Sequence, residues 1–240
     1  MATLRCLASG SQGNAYILEC KNETLLIELG LNWTAIKKGL NYDLSKVVAV
    51  LASHKHFDHL YRPSLLSALK SGLSVFSNKE VGSIYKGVKV LPLGVKTQIE
   101  GFKIQPLLVP HNTECYAYII THKEFGKLLF CTDCSAFKYK VKDCNHILIE
   151  ANYSDDIIID NMCNNEFSRS ASENHLEIGQ TIDVLKHNYS PELQSVVLLH
   201  LSNGNSNAKE FIQRVKNELC FENVFVADKG LEIELNKSEF

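Results

Sequence analysis

The sequence predicts an α/β protein: two mixed sheets of short strands, with helices on their outer faces. Three observations predict it. Short apolar runs, rich in Val, Ile and Tyr and bounded by Gly, Pro, Asn, Lys or Ser, fill the first two-thirds of the chain. Helical patterns that start near a capping residue or proline and end at glycine interrupt these runs. Stretches with apolar positions three and four apart dominate the last third, as amphipathic helices do.

The strand candidates, in order, are TLRCLA, AYILEC, TLLIEL, VVAVLA, LSVFS, VKVLPL, FKIQPLLV, CYAYIIT and KLLFCT. NET and KEFG, each between two such runs, read as hairpin turns. WTAIKKGL, RPSLLSALKSG and NKEVGSIYKG read as helices, as do HLEIGQTIDVLKHN and SNAKEFIQRVKNEL, with the strand SVVLLHLS between the last two. No Gly/Ser linker, charge block or internal repeat marks a boundary, so residues 1–240 read as one domain of two layered sheets.

Composition narrows the classes. Hydrophobic residues make up 45% and charged residues 22% of 240, which is the balance of a globular chain rather than a disordered one. The formal net charge of -2 gives no overall pull toward a polyanion, so nucleic-acid binding would depend on a local basic patch. The N-terminus MATLRCLASG lacks the apolar core of a signal peptide, and no stretch approaches the ~20 apolar residues of a membrane span. The eight cysteines therefore read as reduced thiols in a cytoplasmic protein. Cys131 and Cys134 form one C-x-x-C pair, with no second pair at zinc-finger spacing.

The chemistry concentrates in SHKHFDH, which follows the apolar run KVVAVLA. Imidazole and carboxylate are preferred ligands of zinc and related divalent ions. His54 and His56, two apart, project the same way at a strand end, and Asp58 and His59 can address a neighbouring point. Three further strand ends carry metal-competent side chains: His111 after LLV, Asp133 after LLFCT and His200 after VVLL. A single His or Asp at a strand end is ordinarily a turn former or cap. Four of them are what a site along one sheet edge requires.

This constellation resembles the metallo-β-lactamase superfamily, whose H-x-H-x-D-H signature SHKHFDH matches. The resemblance implies an αββα sandwich and two divalent metal ions, zinc or manganese. It assigns His54, His56 and His111 to one ion and Asp58, His59 and His200 to the other, with Asp133 as the bridge. Asp58 then counts among the catalytic residues as well as the ligands. Where the family usually has Asp after the third strand, LLIELG offers Glu28, which would support the metal loop from behind.

LASGSQGNAYILE, ILIEANYS, NHLE at His175 and LLHLSNGNSN are similar to the YycJ/WalJ-type branch, related to ribonuclease Z and ribonuclease J. The branch implies a phosphodiesterase, specifically a nuclease acting on nucleic acid or nucleotides, with metal-bound hydroxide as nucleophile. A bound metal lowers the pKa of water from 15.7 toward ~7, and two ions roughly 3.5–4 Å apart suit in-line displacement at phosphorus. ILIEAN keeps Glu150 and Ala151 of the ribonuclease Z motif but has Ile149 in place of its His. His175, opening the next helix, is then the candidate general acid. In KYKVK, Lys138, Lys140 and Lys142 fall on one side of a strand-like segment and could hold a phosphate or a backbone. A homodimer follows from family analogy. The alternatives are a cyclic-nucleotide phosphodiesterase of the same fold, a hydrolase of lactam, lactone or thioester bonds, and a non-catalytic metal-binding module.

Overall fold

The protein's computed structural model describes residues 2–161 and 173–237. Seven strands form the first sheet: β1 (Ala2–Ala8), β2 (Ala15–Glu19), β3 (Thr24–Ile27), β4 (Val47–Leu51), β5 (Val75–Ser77), β6 (Lys89–Val90) and β14 (Glu232–Leu235). Their spatial order is β14-β1-β2-β3-β4-β5-β6. Seven more form the second: β7 (Thr97–Ile99), β8 (Phe102–Val109), β9 (Cys115–His122), β10 (Gly126–Cys131), β11 (His146–Glu150), β12 (Ser195–Leu199) and β13 (Val224–Val226). Their order is β13-β12-β11-β10-β9-β8-β7.

The two sheets share one inner core. Tyr16, Leu18, Leu25, Ile27 and Leu51 of the first pack with Phe102, Ile104, Tyr118, Ile120, Phe130, Leu148 and Val197 of the second. The outer face of the first sheet buries Ile17, Leu26 and Val50 with Ile36 of α1 (Trp33–Gly39), Leu65 and Ala68 of α2 (Arg62–Lys70) and Val81 of α3 (Lys79–Ile84). The outer face of the second buries Ile147, Ile149, Val196 and Leu198 with Ile182 and Leu185 of α5 (Ile178–Asn188) and Phe211 and Val215 of α6 (Ala208–Leu219). Helix, sheet, sheet, helix is the layer order. Every residue of β11, HILIE, is buried because the strand lies mid-sheet with both faces covered.

Direction matters more to the site than count. β10, β11, β12 and β13 are parallel, and β9 is antiparallel to both β8 and β10. β8 therefore points the same way as β10–β13, and all their C-terminal ends meet at one edge. β3 and β4 of the first sheet are likewise parallel.

Some elements differ from the sequence reading. β13 and β14 follow α6, and β14 closes back on β1, so the first sheet contains both ends of the described chain. DDIIIDN forms the short helix α4 (Asp155–Asn161), with Asp155 and Asp156 at its positive end. The helix expected from His175 begins at Ile178 instead. Glu177 caps it, its carboxylate accepting from Gly179 N and Gln180 N in a capping box with Gln180, so His175 lies outside it. The segment containing KYKVK is not a strand: Phe137 and Val141 are buried in irregular backbone between β10 and β11.

Candidate metal centre

β4 is apolar throughout and delivers the chain into Ser53 and His54 between the sheets. Ser53 N donates to both carboxylate oxygens of Glu28, at 3.2 and 3.3 Å. The loop then turns on itself, with His59 N and Leu60 N both donating to His56 O at 3.0 and 2.7 Å. Asn14 N donates to Asp58 O at 2.7 Å, and a Cβ on Gly30 would overlap that same oxygen. Only glycine allows the backbone of residue 30 to lie against the loop so closely.

Two groups of donor atoms result. In the first, His54 Nε2 lies 2.9 Å from His56 Nδ1, which lies 3.3 Å from His111 Nε2. Asp133 Oδ2 stands 3.9 Å from both His54 Nε2 and His111 Nε2. In the second, His59 Nε2 is 3.1 Å from Asp133 Oδ1 and 3.4 Å from Asp58 Oδ2, and Asp58 Oδ2 is 3.5 Å from His200 Nε2. The members of each group lie within 4.8 Å of one another, and Asp133 belongs to both. One carboxylate thus turns one oxygen to each group.

The site draws on both sheets rather than one sheet edge: β4 comes from the first sheet, and β8, β10 and β12 come from the second. Outer hydrogen bonds fix the rings. His111 Nδ1 donates to Asn174 O at 3.1 Å, and His54 Nδ1 meets Ser53 Oγ at 2.8 Å, which leaves both Nε2 lone pairs facing the cluster. Glu28 Oε1 stands 3.6 Å behind His59 Nδ1.

Glu150 was not assigned a role from sequence, although an acid ending the apolar run ILI was the available signal. Its Oε1 lies 2.6 Å from His175 Nδ1 and 3.2 Å from His200 Nδ1, and its Oε2 accepts from Cys134 N and Leu176 N at 3.1 Å each. The group is fully buried. Accepting from both Nδ1 atoms leaves Nε2 of each histidine as the reactive nitrogen. Asn14 and Asn152 were also missed. Asn14 Nδ2 is 3.0 Å from His59 Nε2, and Asn152 Nδ2 donates to His200 O at 2.8 Å. The backbone is strained at two of these positions, with φ of 67° at Glu28 and 53° at His200. A non-glycine residue held there costs roughly 1–2 kcal/mol.

Whether divalent ions fit can be judged from the donors. Among the described residues, His59 Nδ1 and His200 Nε2 are buried side-chain atoms with no hydrogen-bond partner. Such orphans are rare in native interiors and each is costly. His200 Nε2 faces Asp58 across a gap suited to a cation, and all the donors are imidazole or carboxylate. The residues fit the group.

The two sets differ electrostatically. Burial holds His54 well below the usual imidazole range, with the charge of His59 adding to it, and burial also lowers His56 and His111. These three present neutral lone pairs. Burial would depress His200 too, but Asp133, Asp58 and Glu150 outweigh it and raise the ring to about 10. The same carboxylate field acts on His59, which is raised well above its ordinary value. A field that holds a proton there also attracts a metal cation.

Lys138 borders a groove beside His111, whereas Lys140 and Lys142 line a different one on the outer face of the second sheet. Cys131 and Cys134 flank Asp133 with their sulfurs 3.4 Å apart, both buried.

The αββα sandwich thus gathers five histidines and two aspartates, placed so that they could hold metal ions. The sequence profile of the Metallo-beta-lactamase superfamily matches residues 8–61, from β1 through the HxHxDH loop. Over that stretch the chain is similar to that superfamily. It is 25% identical over 170 residues to the exodeoxyribonuclease WalJ of Streptococcus pneumoniae, covering 63% of each chain. It therefore spans less than two-thirds of that relative's length. It is 23% identical over 259 aligned positions to the exodeoxyribonuclease YycJ of Bacillus anthracis, covering 95% of this chain and 92% of that one. The metallo-beta-lactamase fold protein YhfI of Bacillus subtilis superposes with a TM-score of 0.74 at 17% identity, covering 98% of this chain and 100% of its own. No helix among the described residues is long and apolar enough to cross a membrane.

Proposed function

We propose that this chain is a two-metal phosphodiesterase that cleaves nucleic acid. The observation that carries the reading is Asp133, whose two oxygens face two separate ligand sets. In this reading His54, His56 and His111 hold one divalent ion, Asp58, His59 and His200 hold the other, and Asp133 bridges. Zinc and manganese both suit an all-nitrogen-and-oxygen shell. The ions would supply Lewis acidity at phosphorus and an ionised water at neutral pH. The names of the two relatives favour a DNA strand as substrate. The seven described cysteines are free thiols, in keeping with a reducing, cytoplasmic setting.

The chain's own residues do the rest. Glu28 and Ser53 brace the loop carrying three of the histidines, and Glu150 orients His175 so that Nε2 can protonate the departing oxygen. A screen tests the reading: purified protein with manganese or zinc, offered single- and double-stranded DNA, RNA, cyclic mononucleotides, bis-(p-nitrophenyl) phosphate and a β-lactam. Cleavage of the β-lactam alone sinks it, and cleavage of cyclic mononucleotides alone sinks the nucleic-acid part. For His175→Ala we expect loss of about 10²–10⁴-fold on DNA but little on the p-nitrophenyl ester, whose leaving group needs no proton. Equal loss on both removes the general-acid role.

A further inference from the structure

The outer face of the second sheet carries a groove of about 550 Å³ over β8, β9 and β10. Lys96, Lys103, Lys127, Lys140 and Lys142 line it, and among the described residues no Asp or Glu does. The chain as a whole has 27 acids against 25 bases, so this lining represents segregated charge. Among the described residues none of the five ammonium groups has a carboxylate within 4.0 Å, whereas Lys55, Lys186 and Lys216 elsewhere are ion-paired.

The sheet register explains the array. Lys103 of β8 lies opposite Thr121 of β9, which lies opposite Lys127 of β10, so the three form one row across the outer face. With strands ~4.8 Å apart, the two lysines stand roughly 10 Å apart at their backbones, the span of about three phosphates of one duplex strand. Leu107, Ile119 and Val141 supply an apolar floor. The wall, residues 138–142, is pinned by Tyr139, whose hydroxyl donates to Leu108 O at 2.8 Å, and by Lys127, whose ammonium donates to Lys142 O. A second concavity shares Lys103 and Thr121 and adds Lys123 and Lys237, extending the positive surface around the sheet end.

We infer that this groove binds the phosphodiester backbone of a nucleic-acid strand whose end or cleavage point occupies the metal centre. The inference rests on the proposed function and adds a docking site outside the metal centre to it. β8 links the two places: from Lys103 to His111 is eight residues, about 26 Å at ~3.3 Å per residue. A strand must then carry about eight phosphates beyond the site, at 3.4 Å each along a duplex, to reach Lys103. Polymers engage the groove and mononucleotides do not.

Lys103→Glu/Lys140→Glu tests this against Lys38→Glu/Lys70→Glu, which makes the same charge change on exposed lysines of α1 and α2. Affinity for a fluorescent phosphorothioate 20-mer, which resists cleavage, is measured by anisotropy from 50 to 300 mM salt. The groove variant is expected to bind about 10-fold or more weakly at low salt, with the salt slope reduced by at least about 1. The control pair should stay within about twofold of the unmodified protein. The kcat/KM for bis-(p-nitrophenyl) phosphate should be unchanged in both, while KM for a DNA 20-mer rises only in the groove variant. Unchanged 20-mer affinity in the groove variant overturns the inference. So does groove-dependent binding of phosphatidylserine vesicles without binding of the 20-mer. Anisotropy reads binding alone, so each of these outcomes bears on the groove whether or not the metal centre proves to cleave DNA.

Discussion

At the edge of the second sheet where β11 begins, His146 is buried with Nδ1 2.8 Å from Ser195 Oγ and Nε2 2.9 Å from Asn236 O. His122, ending β9 at the same edge, sets Nε2 3.2 Å from Glu23 Oε1 and takes a hydrogen bond from Glu124 N on Nδ1, where Cys20 Sγ also lies 3.3 Å away. At the opposite edge, His59 and His200 are just as buried, yet each leaves a ring nitrogen without a partner. His59 and His200 between them also face four carboxylates, Glu28, Asp58, Asp133 and Glu150, within 4 Å. Buried histidine is common to both edges. The two edges differ in whether the fold itself supplies a partner for each ring nitrogen. Cys20, His122 and Glu124 lie close enough to hold an ion, but backbone and carboxylate partners already satisfy the ring.

That contrast can be broken most sharply at Asp133. Asp133→Asn removes the charge shared by both ligand sets, and activity should fall by about 10³-fold or more. Bound metal, counted by mass spectrometry of the purified protein, should fall below two ions per chain while the far-ultraviolet circular dichroism is retained. Two retained ions with full activity would make Asp133 a bystander.

The opposite edge should show itself in acid rather than in turnover. Burial lowers His146 to about 4, so between about pH 6.5 and 4 the unfolded chain binds a proton that the folded chain refuses. Stability from this group is therefore lost as pH falls through that window, by up to about 3 kcal/mol. In His146→Gln the loss between pH 7 and 4, measured by urea unfolding, should shrink by about that amount, with metal content unaltered.

Gly30→Ala probes the backbone behind the metal loop. Displacing Asp58 O should cost about 1–3 kcal/mol in thermal unfolding and lower activity in parallel. An unchanged melting temperature would mean the loop yields freely. The smallest effect is expected at His122. His122→Gln should cost about 1–2 kcal/mol and leave both metal content and kcat where they were. Loss of a bound ion in that variant would instead make Cys20–His122–Glu124 a metal site.

Much of the candidate site could be read in the sequence because its donor side chains sit where apolar strands stop. His54, Asp133 and His200 each follow a run of buried residues and His111 follows the apolar run LLV, and a polar group at such a point is visible in one dimension. Glu150 obeys the same rule but was legible only as a kept motif residue without a role, since its partners His175 and His200 lie 25 and 50 residues downstream. The lysines were harder still. Lys140 and Lys142 were visible as a run, but Lys103 and Lys127 join them only through the register of β8, β9 and β10. Lys138, adjacent in sequence, lines a separate groove because the loop is irregular.

The sequence by itself determined the layer order and the ligand types, since hydrophobic periodicity and residue chemistry are local properties. The tertiary structure alone decided that two sheets rather than one meet at the site, and that Glu150 fixes two histidine tautomers. The physical reason is that a buried carboxylate is defined by what surrounds it. Its neighbours come from strands brought side by side by packing of the shared core, and nothing in the order of residues records which strand will lie beside which.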